Sequence, residues 1–483
     1  MSGPEQITRR TAAARLAAAA LVPLAAPVVL RAAEIEDLVG ILARSRLGQA
    51  TGFAVADAAT GVVIEAHRAD TDRPPASVVK IFTALYALDG LGPGHRFRTA
   101  LAAPGGVQGS RAAGLALVGG GDPVLDTDAL AGMAARLKAG GVSGIDGPVA
   151  TDATALPALA VTETDQPAHA GYNPAISGLN LNFNRVHLAW ETKGDKPTLA
   201  VTAPGSRHTV PVQGVRVELG GSAGYAHRFE AGAEVWRLAS GLAQGSGSVW
   251  LPVRRPPAHA GEVFAHLAAS VGLAPAPTWR ADQAPVSRAG GPLVVHESPD
   301  LEALVRGMLR YSTNLTAEIV GLAAARAAGA APDSLADAAG AMERWARARY
   351  GLARPRFVNH SGLTTRSTLT ARETLRVLAA ERQVLLSLLP ERPILDDHDQ
   401  PLRGPGGTVR AKTGTMHYLR GLAGYIEGRG RRLAFAIYAA DPDARAGLGP
   451  ASIAPPPGAR DWLARARAQE NALLRRWAAL HAG

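Results

Sequence analysis

The chain has 483 residues, a formal net charge of +10 and no cysteine. That length allows about two or three domains, and the missing cysteine excludes disulfides, thiolate metal sites and a cysteine nucleophile. The charge alone would admit a nucleic-acid partner, but no zinc-ligand spacing, no basic run with interleaved aromatics and no reading helix is present, so none is expected. Scattered arginines fit a solvated surface, or one suited to an anionic polymer or membrane surface.

At the N-terminus, Thr8-Arg9-Arg10-Thr11 precedes an apolar run over residues 16–30 that ends at Arg31-Ala32-Ala33. A basic start, a short apolar run and small residues after it read as an export signal over residues 1–33, twin-arginine-like by its paired arginines. Pro23, Pro27 and the short run argue against an anchoring helix. No later stretch reads as membrane-spanning, so at most peripheral membrane contact is expected.

Residues 35–47 read as an amphipathic helix, and residues 51–56 and 61–66 as a hairpin around Asp57-Ala58-Ala59-Thr60. Pro74 and Pro75 end an extended segment, and a helix follows over residues 78–88. A strand is expected at 96–102. From about residue 101 the texture changes. Strand-like pieces at 114–118, 182–190, 198–202, 209–219, 235–238 and 249–253 are separated by loops rich in Gly and Ser. The glycine loop Gly119-Gly120-Gly121-Asp122-Pro123 lacks the lysine of a phosphate cradle and reads as a turn. One helix interrupts this region at 128–139, and another at 256–273 is expected to return the chain to the first domain. Beyond residue 286, helices are expected at 299–311, 315–329, 336–350 and 369–380. Strands follow at 408–415, 422–427 and 432–440, then a helix at 461–481. Helices on an antiparallel sheet, with chain from both ends, predict an α+β domain formed by residues 34–100 and 286–483. A mostly β insertion over residues 101–285 interrupts it.

Three short motifs carry chemistry. Ser77 and Lys80 stand three apart at a helix start, so hydroxyl and amine share a face. A serine hydroxyl needs a base, and a lysine becomes one when burial or a second cation lowers its pKa. Of the 51 Lys and Arg residues only five are lysines. In such a chain a lysine on an apolar helix suggests a need to release a proton, which arginine does not meet. The bland alternative is a capping serine beside a surface lysine. Ser312 and Asn314, in Tyr311-Ser312-Thr313-Asn314, fall at the break between two helices. They suit a proton relay and a grip on a substrate amide, or simply a helix cap. Lys412-Thr413-Gly414-Thr415 lies near a strand end. Lys412 is a fixed charge, Thr413 and Thr415 supply hydroxyls, and Gly414 allows close approach of a ligand to the backbone. The bland alternative there is an edge-strand lysine before a turn.

The ordered set S-x-x-K, S-x-N and K-T-G is a signature of penicillin-binding proteins and class A β-lactamases. With Gly119-Gly120-Gly121-Asp122-Pro123, Ser361-Gly362-Leu363, Leu422-Ala423-Gly424-Tyr425 and the large insertion, the chain resembles the class C low-molecular-mass penicillin-binding proteins. These are D-alanyl-D-alanine carboxypeptidases/endopeptidases. Class A β-lactamases lack the insertion and carry a glutamate three residues before a Leu-Asn pair; Ile176 stands at that place before Leu179-Asn180. One departure is Asn359-His360, where the family has aspartate and glycine. His360 is read as structural, and His417 as a residue near the cleft mouth.

The resemblance implies a penicillin-binding, transpeptidase-like fold and a periplasmic hydrolase acting on peptidoglycan peptides without metal or cofactor, with β-lactams as inhibitors. It implies catalytic roles for Ser77, Lys80, Ser312, Asn314 and Lys412, and substrate binding by Thr413, Gly414 and Thr415. Three further readings stay open at this stage: a β-lactamase or esterase on the same scaffold, an envelope binding protein acting through its insertion, and a nucleic-acid binder, which charge alone suggests and the export signal argues against.

Overall fold

A computed structural model describes residues 36–193, 196–221, 224–273, 279–280, 291–396, 398–402, 407–428, 430–446, 448 and 455–481. The expected signal at 1–33 lies outside the described residues. So does Arg429 in the turn expected at Gly428-Arg429-Gly430.

Six antiparallel strands form the principal sheet, in the order Glu391–Pro393, Thr408–Met416, Leu419–Glu427, Arg432–Ala440, Thr51–Asp57 and Val63–His67. The N-terminal hairpin thus joins C-terminal strands, with Phe53 opposite Ile437 and Val55 opposite Phe435. Alternation along each strand sorts side chains by size. Ala54, Ala56, Ala434, Ala436 and Tyr438 face a layer of helices that includes Val79–Leu91, Asn314–Ala327, Leu335–Tyr350 and Ala371–Ala380. Phe53, Val55, Leu433, Phe435 and Ile437 face Leu38–Ser45 and the long final helix, Ala459–His481. The alanines on the first face let the helices approach closely. Phe53 and Phe435 meet Trp477 on the second, with ring centroids 5.8 and 6.1 Å apart.

Val79–Leu91 is the central helix. Every side chain from Val79 to Ala87 is buried, including Lys80. It packs against Leu301–Tyr311, Asn314–Ala327 and Leu335–Tyr350, which explains why its sequence is apolar all round rather than striped.

The chain leaves this unit through the strand Arg98–Ala102 and returns through Pro292–Glu297. The two pair antiparallel in a five-stranded mixed sheet with Leu115–Gly119, Val149–Asp152 and Trp279–Arg280. Between them lie a four-stranded and two three-stranded sheets around a second core.

Two expectations fail here. The stretch 209–219 is two strands, not one. Thr209–Pro211 pairs with Lys196–Pro204, whereas Val215–Leu219 pairs in parallel with Ala233–Leu238 in another sheet. The break is held by the Glu262 carboxylate, which accepts from the N–H groups of Gln213 and Gly214 at 2.5 and 3.1 Å. Periodicity cannot register such a bond. The helix Pro256–Ser270 does not return the chain to the first unit. It packs on Thr127–Ala139 and on the strand Val149–Asp152, inside the second core. The strand Tyr225–Glu230 and the helix Arg382–Leu388 were not expected from the pattern.

Candidate active site

Ser77 sits in a short 3-10 turn, Ala76–Val78, that runs into the central helix. Ala76 has φ +47°, a left-handed conformation that a non-glycine residue adopts only when its surroundings impose it. The imposition is visible. The turn is pressed against Gly362, where an added Cβ would collide with the Ala76 carbonyl. It is also pressed against Gly414, where a Cβ would lie 2.7 Å from both the Ser77 nitrogen and the Ala76 Cβ. Glycine at 414 therefore seats the serine turn on the sheet, in addition to leaving room for a ligand.

Lys80 lies one helical turn along from Ser77, and its Nζ donates to Ser77 Oγ at 3.0 Å, Asn314 Oδ1 at 2.8 Å and the Ser361 carbonyl at 2.7 Å. All three acceptors are uncharged. Burial, seconded by repulsion from Lys412, holds the amine well below its ordinary pKa, with Glu318 opposing. Arginine would stay protonated in such a place.

Asn314 is the first residue of the helix Asn314–Ala327, and Ser312 is the left-handed cap, φ +58°, of Leu301–Tyr311. This sharp break aims both side chains into the same space. Asn314 Oδ1 accepts from Lys80, and its Nδ2 donates to the Tyr172 carbonyl at 2.7 Å. The two neighbours fix which end of the amide is oxygen. Ser312 Oγ accepts from Lys412 Nζ at 2.9 Å, and the same amine donates to the Thr413 carbonyl at 2.7 Å. Lys412 is buried. Desolvation first, then Arg392 and Arg420, push its pKa down to about 7.

The strand Thr408–Met416 is covered on its outer side only as far as Ala411, whose N–H donates to the Pro390 carbonyl. Peptide groups alternate along a strand, so the N–H groups of Thr413 and Thr415 face the same outer edge. Among the described residues no strand pairs with that stretch of edge. Next to it lies a cleft of about 910 Å³, onto which Ser77, Ser312, Asn314, Thr415 and His417 open. Asp165, Gln166, Pro167 and Tyr172, from the stretch between the strands Val149–Asp152 and Arg185–Lys193, line it as well.

Several contributors have no signature in the sequence. Arg420 donates to Thr415 Oγ1 at 2.7 Å and forms a buried pair with Glu470 of the final helix at 2.8 Å. Glu318 lies beneath the site and accepts from the N–H groups of His360 and Ser361, each at 2.9 Å. Burial works against its charge. The hydrogen bonds and the adjacent His360 ring outweigh that, and its pKa falls. His360 is fully buried, and its carbonyl accepts from Thr83 at 2.6 Å. Together these bonds fix the Ser361 carbonyl under Lys80. Ala317-Glu318, which follows the Ser312–Asn314 motif, belongs to the family resemblance, but its role is not legible there, because the partners are more than forty positions apart.

A serine beside a buried lysine, a second serine–lysine pair across the cleft and a free strand edge define an active-site serine hydrolase of the penicillin-binding type. The chain matches the D-Ala-D-Ala carboxypeptidase 3 (S13) family over residues 34–449, and it belongs to that family. It is a D-Ala-D-Ala carboxypeptidase of the serine type. A D-alanyl-D-alanine carboxypeptidase of an Actinomadura species is 27% identical over 450 residues, covering 83% of this chain and 80% of that one. Penicillin binding protein 4 of Haemophilus influenzae is 20% identical and superimposes with a TM-score of 0.69, over 89% of this chain and 99% of that one. The same protein in complex with a β-lactam gives 0.66 at 21% identity.

Proposed function

We propose that the chain cleaves the bond between two D-amino acids in peptidoglycan stem peptides and cross-links through an acyl-enzyme on Ser77. In its neutral form Lys80 keeps two N–H groups for Asn314 Oδ1 and the Ser361 carbonyl and turns its lone pair to Ser77, whose hydroxyl proton it takes as Oγ attacks the carbonyl carbon. The N–H groups of Ser77 and Thr415 receive the developing oxyanion. Ser312, backed by Lys412, hands a proton to the departing amine. Asn314 steadies the amide of the acyl group. Lys412, Thr413 and Thr415 take the terminal carboxylate, with the charge of Arg420 behind Thr415 and Gly414 leaving the backbone open. Water then releases the acyl group and restores the serine. A β-lactam offers a strained amide and a carboxylate at the same spacing, so it acylates the same serine.

The observation that carries this reading is the buried amine of Lys80 at 3.0 Å from Ser77 Oγ with only uncharged acceptors around it. We divide the chain into residues 34–100 with 286–483 as the hydrolase unit and 101–285 as the insertion. Peptidoglycan lies outside the inner membrane, so residues 1–33 serve as a twin-arginine-like export signal to the periplasm. Among the described residues no helix is long and apolar enough to cross a membrane.

The deciding experiment is labelling with a fluorescent penicillin. Wild type forms a long-lived adduct, and Ser77→Ala forms none while unfolding at the same temperature. Labelling retained at another residue refutes the assignment, and rapid penicillin turnover in place of an adduct makes the protein a β-lactamase. Lys80→Arg keeps the charge but not the basicity, and acylation falls by at least about 1,000-fold.

A further inference from the structure

Behind Ser312 and Lys412 lies a second cavity, of about 560 Å³. The end of the helix Leu301–Tyr311, the segment 387–392 and the middle of the strand Thr408–Met416 enclose it. Ser312 lines both this cavity and the main cleft. Five cationic side chains border it, Arg306, Arg310, Arg392, Arg410 and Lys412, against one carboxylate, Glu391. Arg410 pairs with Glu391 at 2.8 Å and with Glu427 at 3.2 Å, and Arg306 pairs with Glu302 on the outer surface. Among the described residues, Arg310 and Arg392 have no carboxylate within ion-pair distance. Stability offers no reason to leave Arg310 and Arg392 without a carboxylate beside Lys412 around an open space, because these cations repel one another. An anionic ligand does.

We propose that this cavity receives the departing peptide arm of a cross-link, and that its guanidiniums bind carboxylates on that arm beyond the one beside the scissile amide. The inference rests on the peptidase reading of Ser77. Ser312 faces the leaving amine, so whatever is bonded to that amine projects past Ser312 and Lys412, and the space there is this cavity. A lone D-alanine occupies a small part of it. A second stem peptide uses both the volume and the charge, since guanidinium groups grip carboxylates with paired hydrogen bonds. The insertion side of the cleft then holds the acyl arm and the arginine cavity the leaving arm.

The test compares two substrates, a cross-linked muropeptide dimer and a pentapeptide that releases a single D-alanine. In the Arg306→Gln/Arg310→Gln variant, KM for the dimer rises about tenfold with kcat unchanged. The pentapeptide constants stay at wild-type values, which also reports that the variant is folded. Arg306→Lys/Arg310→Lys keeps the charge and restores most of the dimer affinity. Amidating only the leaving-arm carboxylates beyond the one beside the scissile amide raises KM in wild type and has no further effect in the Gln variant. Equal losses on both substrates, no loss on the dimer, or a wild type that cleaves only the pentapeptide overturns the proposal. A wild type that cleaves neither substrate refutes the peptidase reading itself.

Discussion

Lys80 and Asn314, more than two hundred residues apart in sequence, share a 2.8 Å hydrogen bond, and the other end of the Asn314 amide is tied to the Tyr172 carbonyl. The polarity of that bond keeps Lys80 facing an uncharged oxygen. Asn314→Asp replaces it with a carboxylate, which favours the ammonium form and raises the Lys80 pKa. The acidic limb of the kcat/KM profile then moves up by about one pH unit or more. The new carboxylate also repels the Tyr172 carbonyl, so the variant is less stable. A pH–rate profile superimposable on that of wild type rules out Lys80 as the base.

Gly414 tests the seating of the serine turn. Its chemistry is nil, yet a methyl group there meets the Ser77 nitrogen and the Ala76 Cβ, each at 2.7 Å. Gly414→Ala destabilises the protein by about 1–3 kcal/mol. It also slows acylation by about 100-fold, because a displaced turn misaligns the nucleophile and one oxyanion donor. Stopped-flow acylation by a chromogenic β-lactam measures this. Wild-type rates would mean that the turn is not held by this contact.

Lys412 should cost stability in a pH-dependent way. Its pKa is about 7 in the folded protein against an ordinary value of 10.5. Between these values the unfolded chain binds the extra proton and the folded one does not, so stability rises with pH across this window. The cost of burying the charge is therefore full below about pH 7 and fades toward 10.5. Lys412→Met removes it. The variant gains most stability over wild type near pH 6 and gains little near pH 10, while kcat/KM falls by at least about 100-fold. Urea titrations at the two pH values settle this. A pH-independent difference removes the electrostatic explanation.

The Arg420–Glu470 pair links the site to the final helix. Burial raises the Glu470 pKa against the pull of Arg420, so the carboxylate depends on its partner, and Arg420 in turn braces Thr415. Glu470→Ala leaves a buried guanidinium without a counter-charge and costs about 3 kcal/mol or more. It also loosens Thr415, so KM for a D-Ala-releasing peptide rises. Replacing both residues by Leu recovers stability but not KM. Unchanged denaturation midpoints in Glu470→Ala exclude this coupling.

Much of the fold was legible because the signals are local. An apolar run after two prolines marks the central helix, and strand-like patterning marks 432–440 and 51–56. The failures were of another kind. Residues 209–219 look like one strand, and only the Glu262 carboxylate, reaching from a helix fifty positions on, breaks them into two sheets.

The amino-acid order alone sets which side chains can meet within one turn of helix, and hence that a hydroxyl and an amine stand together at residues 77 and 80. Helical geometry has a fixed pitch, and three positions always return to the same face. Folding in three dimensions decided the rest: that the amine is stripped of water, that its partners are uncharged, that an arginine stands behind Thr415 and that a cationic hollow lies beyond Ser312. Those properties arise where segments hundreds of residues apart close over one another, and burial and charge proximity exist only once they have done so.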